Sequence, residues 1–282
     1  MEPRFSLIIP SYNRAATLVR AMESVLHQTF PAFEIIVVDD GSTDQTRQVV
    51  ERYPSVRYCY QENQGVSAAR NKGAELATGD WLIFLDSDDE LVPSALHDFS
   101  NSIMKKPTAT ILLGGYYLRK NGIERTYVPE PGKYIGYLSG SFAIRRKVFE
   151  QIGGYDAELK FAENTELFFR LDRKEWERVE IPNPVLKYHQ ASSGGNNNLG
   201  AMSDSILYIL KKHPDLDFQV QRLYHQILGV NYLRFRQFSE ARKHLFRAYL
   251  LKPFKLDTLV RLGIALIPSL VKRLYSPNPI HK

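Results

Sequence analysis

The sequence predicts an α/β fold: a mixed, mainly parallel sheet flanked by helices, followed by an all-helical C-terminal region. Three observations carry that expectation. Short β-branched apolar runs alternate with stretches of helical periodicity at intervals of about 25 residues over the first hundred positions, the pattern of strand–helix crossover units. A polar cluster (NR, DDGS, ENQG, DSDD) follows each run, which places a ligand-binding edge at the carboxyl ends of parallel strands. Residues 201–282 read as helical throughout.

Residues 5–9 form the first expected strand. Residues 15–28 carry Leu18, Met22, Val25 and Leu26 at helical spacing, and Pro31 breaks the chain. Residues 34–38 (EIIVV) read as a buried strand ending in Asp39-Asp40-Gly41-Ser42. Residues 43–53 predict a helix, capped by Ser42 or Thr43 and stopped by Pro54. Next come a strand over 56–60, a turn over 63–65, and a helix over 66–77 with Gly79 just beyond it. Residues 81–85 (WLIFL) give the fourth strand, and 93–104 a helix. Beyond residue 107 the pattern loosens: a strand over 111–118, a loop over 128–140, a short helix over 145–151 and a turn at GGYD (153–156). A helix over 162–173 and a strand beginning at 179–181 complete this region. SSGGNNN (192–198) reads as a linker. The expected organisation is a first domain over 1–200 and a helical extension over 201–282.

The 282 residues are 44% hydrophobic and 24% charged, the profile of a globular protein with room for a sizeable core. The one cysteine, Cys59, permits no intramolecular disulfide, fits a reducing compartment, and reads as a small buried hydrophobe. The N-terminal apolar run ends at Pro10, too short for a signal peptide. No stretch of about 18 apolar residues offers a membrane span. The expected location is cytoplasmic. Neither GxxxxGK[ST] nor a GxGxxG after a strand occurs, which excludes a P-loop ATPase and a standard dinucleotide-binding domain. Net charge is +6, unevenly spread: residues 201–282 carry 14 Lys/Arg against 5 Asp/Glu, residues 1–200 carry 23 against 26.

FLDSDD (84–89) places Asp86, Asp88 and Asp89 at the mouth of a buried strand. Clustered carboxylates repel one another and are costly to desolvate, so a compensating cation is expected. Oxygen ligands suit Mg²⁺ or Mn²⁺, and such ions are commonly shared with substrate phosphates. Taken alone, aspartates after a strand also serve turns. Asp39 and Asp40 offer acceptors to a base or ribose, Tyr12 offers a ring for a base, and Arg70 offers a bidentate fork to phosphate or carboxylate.

Taken together, IIPSYNR, QTFPAFEIIVVDDGSTD, ENQGVSAARNKG and FLDSDD, in this order and spacing, resemble glycosyltransferase family 2. The resemblance is dense over residues 4–92 and thinner over SGSFAIRRKVFEQIGGYD (139–156). It implies the GT-A fold of nucleotide-diphospho-sugar transferases. It further implies that Pro10 and Tyr12 flank the base, that Asp40 meets it (usually uracil), and that Arg70 helps hold the nucleotide. Asp86 would lie near the ribose, and Asp88 would bind a Mn²⁺ or Mg²⁺ bridging the diphosphate, helped by Asp89. A late His189, in LKYHQ, is a further metal ligand by resemblance, with a structural role as the alternative. The implied reaction is an inverting single displacement: an acceptor hydroxyl attacks the anomeric carbon, a base takes its proton, and the metal stabilises the leaving diphosphate. The implied donor is a UDP-sugar, and the acceptor a glycan or lipid-linked glycan.

The sequence departs from the family at the base. The family places Glu-Asp at the start of the helix after GGYD. KFAENTELFFRL has Asn164 at the Asp position, and a neutral amide cannot take that proton. Glu163 and Glu166 are the candidates left. A non-catalytic nucleotide-sugar-binding module, with the helical end as a partner surface, is the alternative.

Residues 256–275 (LDTLVRLGIALIPSLVKRLY) are amphipathic and basic. They suit peripheral contact with an anionic membrane at its inner face, or a helix packed on the protein. Nucleic acid is not expected, because the basic residues are spread out and no binding motif accompanies them. Gly229, Tyr232, Ala241, Leu245, Ala248 and Pro253 follow the spacing of one tetratricopeptide-like helix pair. A single copy cannot build a solenoid, so an ordinary helical hairpin is the other reading.

Overall fold

The computed structural model describes residues 2–120, 122–130, 136–189 and 198–277. The chain forms two compact units, residues 1–159 with 163–192, and residues 160–162 with 193–282.

The first unit is built on one nine-stranded sheet. Its parallel half consists of β1 (Phe5–Ser11), β2 (Glu34–Asp40), β3 (Val56–Gln61) and β4 (Trp81–Phe84), in the order β3-β2-β1-β4. The runs of β1, β2 and β4 are buried on both faces, as parallel strands between helices must be, while β3 at the sheet edge leaves Arg57 and Tyr60 exposed. Alternation along β1 sorts its side chains. Phe5, Leu7 and Ile9 join Leu18, Met22 and Val25 of α1 (Ala15–Leu26) in one core. Ile8 joins Ala69 and Ala74 of α3 (Val66–Leu76) in the other. Gly73 lets α3 approach closely: a Cβ there would stand 2.3 Å from Ile8 Cγ2. Between β2 and β3 runs α2 (Thr46–Val50), much shorter than the expected 43–53. Residues 42–44 are engaged in loop hydrogen bonds instead, and Asp44 accepts the Thr46 N–H at 2.9 Å.

The other half of the sheet contains β5 (Glu90–Leu91), β6 (Ile111–Lys120), β7 (Ile123–Tyr127), β8 (Phe142–Arg145) and β9 (Arg178–His189). From β4 the order continues β8-β6-β9-β5, with β7 on β6. Only β6–β9 is parallel here; β4–β8, β6–β8, β6–β7 and β5–β9 are antiparallel. β5, β7 and β8 were not expected from sequence. β9 runs on from 179–181 through Pro182 and Pro184, and the β6–β9 register shifts around Gly115. Prolines lack the N–H that a regular ladder uses, so an irregularity is the natural accommodation. The remaining helices of this unit are α4 (Ala95–Lys105), α5 (Arg146–Gln151) and α6 (Glu163–Leu171).

The second unit contains α7 (Leu199–Lys212), α8 (Phe218–Arg234), α9 (Phe238–Leu251), α10 (Leu256–Ala265) and α11 (Pro268–Leu274). Most of the expected linker lies outside the described residues; its last member, Asn198, caps α7 by accepting the Ala201 N–H at 3.0 Å. Loop residues 131–135 also lie outside them. Gly229 is the contact point of α8 and α9, since a Cβ there would meet Leu245 Cγ at 2.5 Å. Leu233, Ala241, Leu245, Ala265 and Val271 form the core of this unit. The amphipathic stretch 256–275 is two helices, not one. Pro268 occupies the first turn of α11, and Ile267 before it is extended, the conformation a following proline favours. Among the described residues no helix is long and apolar enough to cross a membrane.

Candidate active site

The carboxyl ends of β1, β2 and β4 bring the polar clusters together. Pro10 lies within β1 opposite Val38, and Tyr12 follows it with its ring half exposed. Asn13 takes a left-handed conformation (φ 52°), which asparagine tolerates better than most residues. Its backbone N–H donates to Ser42 Oγ at 2.8 Å, and its Oδ1 accepts the Thr43 N–H at 2.8 Å. Asp44 accepts the Ala15 N–H at 3.0 Å, at the start of α1. The two loops are thereby clasped.

Asp39 and Asp40 are both buried. Asp39 accepts the Ser42 N–H at 2.8 Å and the Tyr58 hydroxyl at 2.7 Å. Asp40 accepts from Gln61 Nε2 at 2.7 Å, the Gln64 N–H at 2.9 Å and the Gly65 N–H at 2.8 Å. A carboxylate offers about four acceptor positions, so roughly one is left for a ligand. Asp40 therefore also shapes the turn into α3.

Arg70, on α3, is 1% exposed. Its Nη2 donates to Asp86 at 2.6 Å and to Ser139 Oγ at 2.8 Å; its Nη1 donates to Glu163 at 2.8 Å. The guanidinium lies over the Tyr155 ring, 5.2 Å from its centroid. Burial opposes its charge, but Asp86, Tyr155 and Glu163 outweigh that, so its pKa is raised. Beside the expectation that Arg70 helps hold the nucleotide, this geometry commits both of its Nη atoms to protein partners. Its fork is taken up inside the protein, where it ties the end of β4 to the start of α6.

In the DSDD turn the Asp89 N–H donates to the Asp86 carbonyl at 3.0 Å. Asp86 and Asp88 keep side-chain exposures of 35% and 28%, while Asp89 is buried. Arg14 stands 3.7 Å from Asp88, and Arg20 donates to the Asp88 carbonyl. Burial, then the neighbouring Asp86, raises the Asp88 pKa and pushes that of Asp89 well above the usual carboxylate range. This is the electrostatics of a cluster short of positive charge.

Asp89 accepts the His189 backbone N–H at 2.8 Å, and the His189 ring is bound through Nε2 to Glu90 at 2.7 Å. Glu90 also stands 3.4 Å from Arg20 and 3.6 Å from Lys187. His189 is thus beside the acidic turn but committed to Glu90. Among the described residues no group of three or more His, Cys, Asp or Glu is disposed to hold a metal ion. The donor set does not make an all-protein cage. It fits an ion shared between a carboxylate of the acidic turn, with Asp88 presenting an open oxygen, and substrate phosphates.

Glu163 and Glu166 prove unlike. Glu163 opens α6 beside Arg70 with 16% side-chain exposure. Among the described residues nothing bonds its second oxygen. Glu166 is fully buried and held by Arg170 through contacts of 3.0, 3.0 and 2.8 Å. Arg170 also donates to the carbonyls of Ile152 and Gly154, each at 2.6 Å. Glu166, with no exposed surface and both oxygens on Arg170, is the less accessible of the two candidate bases. Asn164 accepts the Tyr155 hydroxyl at 2.8 Å and donates to Ser139 Oγ at 3.3 Å. Ser139 and Tyr155 were not singled out from sequence; both lie in the thinly matching stretch 139–156, which was their one signal.

Comparison with known proteins agrees with this architecture. The family model "Glycosyl transferase family 2" matches residues 6–155. The chain belongs to that family, whose members generally use a divalent metal. It is 32% identical over 182 residues to an uncharacterized glycosyltransferase of Haemophilus influenzae, covering 59% of this chain and 61% of that protein. It is 35% identical over 122 residues to the GalNAc(5)-diNAcBac-PP-undecaprenol beta-1,3-glucosyltransferase of Campylobacter jejuni, covering 37% of this chain and 40% of that protein. The matches thus span less than two thirds of either relative's length. Among solved structures, S. aureus TarS 1-349 in complex with UDP-GlcNAc superposes with a TM-score of 0.63 at 21% identity, covering 95% of this chain and 88% of that one. That likeness establishes the GT-A fold.

Proposed function

We propose that the chain is an inverting, divalent-metal-dependent glycosyltransferase. It moves a sugar from a nucleotide-sugar, a UDP-sugar by preference, to a hydroxyl of a glycan or lipid-linked acceptor in polysaccharide or glycoconjugate synthesis. It works in the cytoplasm. The observation that carries this reading is the Arg70 junction, which holds Asp86 at 2.6 Å and Glu163 at 2.8 Å. One guanidinium fixes a carboxylate of the acidic turn and a candidate base around the same point.

In this reading Tyr12 and Pro10 flank the base, and the acceptor position left on Asp40 meets a base N–H. Asp86 receives the ribose. Asp88, assisted by Asp89, would hold Mn²⁺ or Mg²⁺, which when bound neutralises charge on the diphosphate. Glu163 takes the acceptor proton through its unbonded oxygen, while Arg70 keeps that carboxylate in place. His189 acts through Glu90 as a structural support of the turn. The UDP-GlcNAc held by the TarS neighbour supports a uridine nucleotide, and the undecaprenol-linked substrate named for the Campylobacter relative supports a lipid-linked acceptor.

The test is turnover by the full chain and its Glu163→Gln variant with UDP-sugars and Mn²⁺. Loss of roughly a hundred- to ten-thousandfold in turnover, with UDP affinity unchanged, is expected for a general base. Unchanged turnover would remove Glu163 from the mechanism. Asn164, at the family's usual base position, favours the second reading, a nucleotide-sugar-binding module. Donor binding without transfer or donor hydrolysis by the unaltered chain would establish it.

A further inference from the structure

The second unit carries an apolar face that its own core does not use. On α9, Phe246 and Leu250 are one turn apart. Phe254 stands in the turn to α10, where Leu256 and Val260 again lie one turn apart. Leu266 and Ile267 form the elbow before Pro268. Each of these seven side chains is at least half exposed. The opposite side of α10 is packed through Thr258 and Ala265, and α11 packs through Val271. Surface helices normally turn polar residues outward, and this many bare apolar side chains along one run of chain mark an interaction surface.

The charge around the patch says what covers it. Residues 242–277 contain eight Lys/Arg and a single acidic residue, Asp257. That one carboxylate accepts from Gln226 Nε2 at 2.9 Å and stands 3.8 Å from Lys255. Lysine is depleted where one protein buries an apolar patch against another. Bare Leu, Ile and Phe side chains rimmed by Lys and Arg are the composition of a surface lying in the interface of an anionic bilayer.

We propose that the end of α9, the turn after it, and the α10–α11 elbow dock on an anionic membrane surface. The aliphatic and aromatic side chains enter the headgroup boundary, and Arg247, Lys252, Lys272 and Arg273 meet acidic headgroups. Two short helices bent at Pro268 serve here in place of one long amphipathic helix. This inference is independent of the transfer reaction, and its test needs neither donor nor acceptor.

The experiment is flotation of the full chain with vesicles of phosphatidylcholine alone and with vesicles containing phosphatidylglycerol. Binding to the second, weaker binding to the first, and release at high salt are expected. Lys272→Gln with Arg273→Gln should lower partitioning roughly 30-fold, about fivefold per charge. Leu266→Ser with Ile267→Ser should abolish it. All four positions are exposed, so the melting midpoint should hold in both variants. Absence of binding to the anionic vesicles overturns the proposal, as does binding that ignores both variants. A concentration-dependent dimer that Leu266→Ser with Ile267→Ser dissociates, without vesicle binding, overturns it in favour of self-association.

Discussion

Glu163 and Glu166 lie three residues apart on one helix, and their surroundings give them opposite work. Glu166 is fully buried with Arg170 forked across it. Removing one partner of such a pair leaves the other buried and uncompensated. Glu166→Gln should therefore cost about 3 kcal/mol of stability in urea unfolding, while the folded fraction keeps its turnover. A turnover loss without a stability loss would favour Glu166 as the base. The sequence held one sign of this division: Arg170 stands four residues after Glu166, the spacing of a paired helix face. The place of Asn164 was legible as a departure, but its partners were not. Its amide suits a hydroxyl donor, Tyr155, on one side and a hydroxyl acceptor, Ser139, on the other, and they stand 9 and 25 residues away in the chain, outside its own helix.

At the scale of elements, α8 and α9 meet through a buried histidine pair, His225 Nδ1 to His244 Nδ1 at 2.9 Å. One ring must donate and the other accept, so at least the accepting ring is neutral. Burial and then His244 push His225 down to about 4, and burial and then Arg247 lower His244. A histidine with a depressed folded pKa leaves the unfolded chain holding more protons between about pH 6.5 and 4. Stability is full above that window and falls as pH drops through it, by on the order of 3 kcal/mol for His225. Replacing both by Leu should flatten this acid limb in helix unfolding followed by circular dichroism; an unchanged limb would refute the assignment. No periodicity announces such a pair, because each histidine alone reads as an ordinary interior residue. β1, β2 and β4 were legible for the converse reason: strands buried on both faces read as continuous apolar runs. β5 is two residues long and β7 (IERTY) is exposed, so neither carried a strand pattern, while the two prolines of β9 hid its length beyond the expected start at 179–181.

At the scale of the whole molecule, two units with separate cores stand on different charge balances, net −4 over residues 1–159 with 163–192 and net +10 over residues 160–162 with 193–282. The acidic turn and the Arg70 junction belong entirely to the first unit, so ligand energy should enter the molecule there. A thermal unfolding scan with UDP, GDP, CDP and dTDP, each with and without Mn²⁺, reads this directly. A ligand at a hundred times its dissociation constant stabilises its site by about 2.7 kcal/mol. UDP with Mn²⁺ is expected to raise the midpoint, and UDP alone much less, because the repulsion among Asp86, Asp88 and Asp89 goes uncompensated without the cation. Where the two units melt in separate steps, only the step of the first should move. A shift that ignores the metal would detach the acidic turn from the diphosphate. No shift with any nucleotide would mean that the Asp88 cluster does not work as a metal–diphosphate site, and the proposed transfer reaction would fall with it.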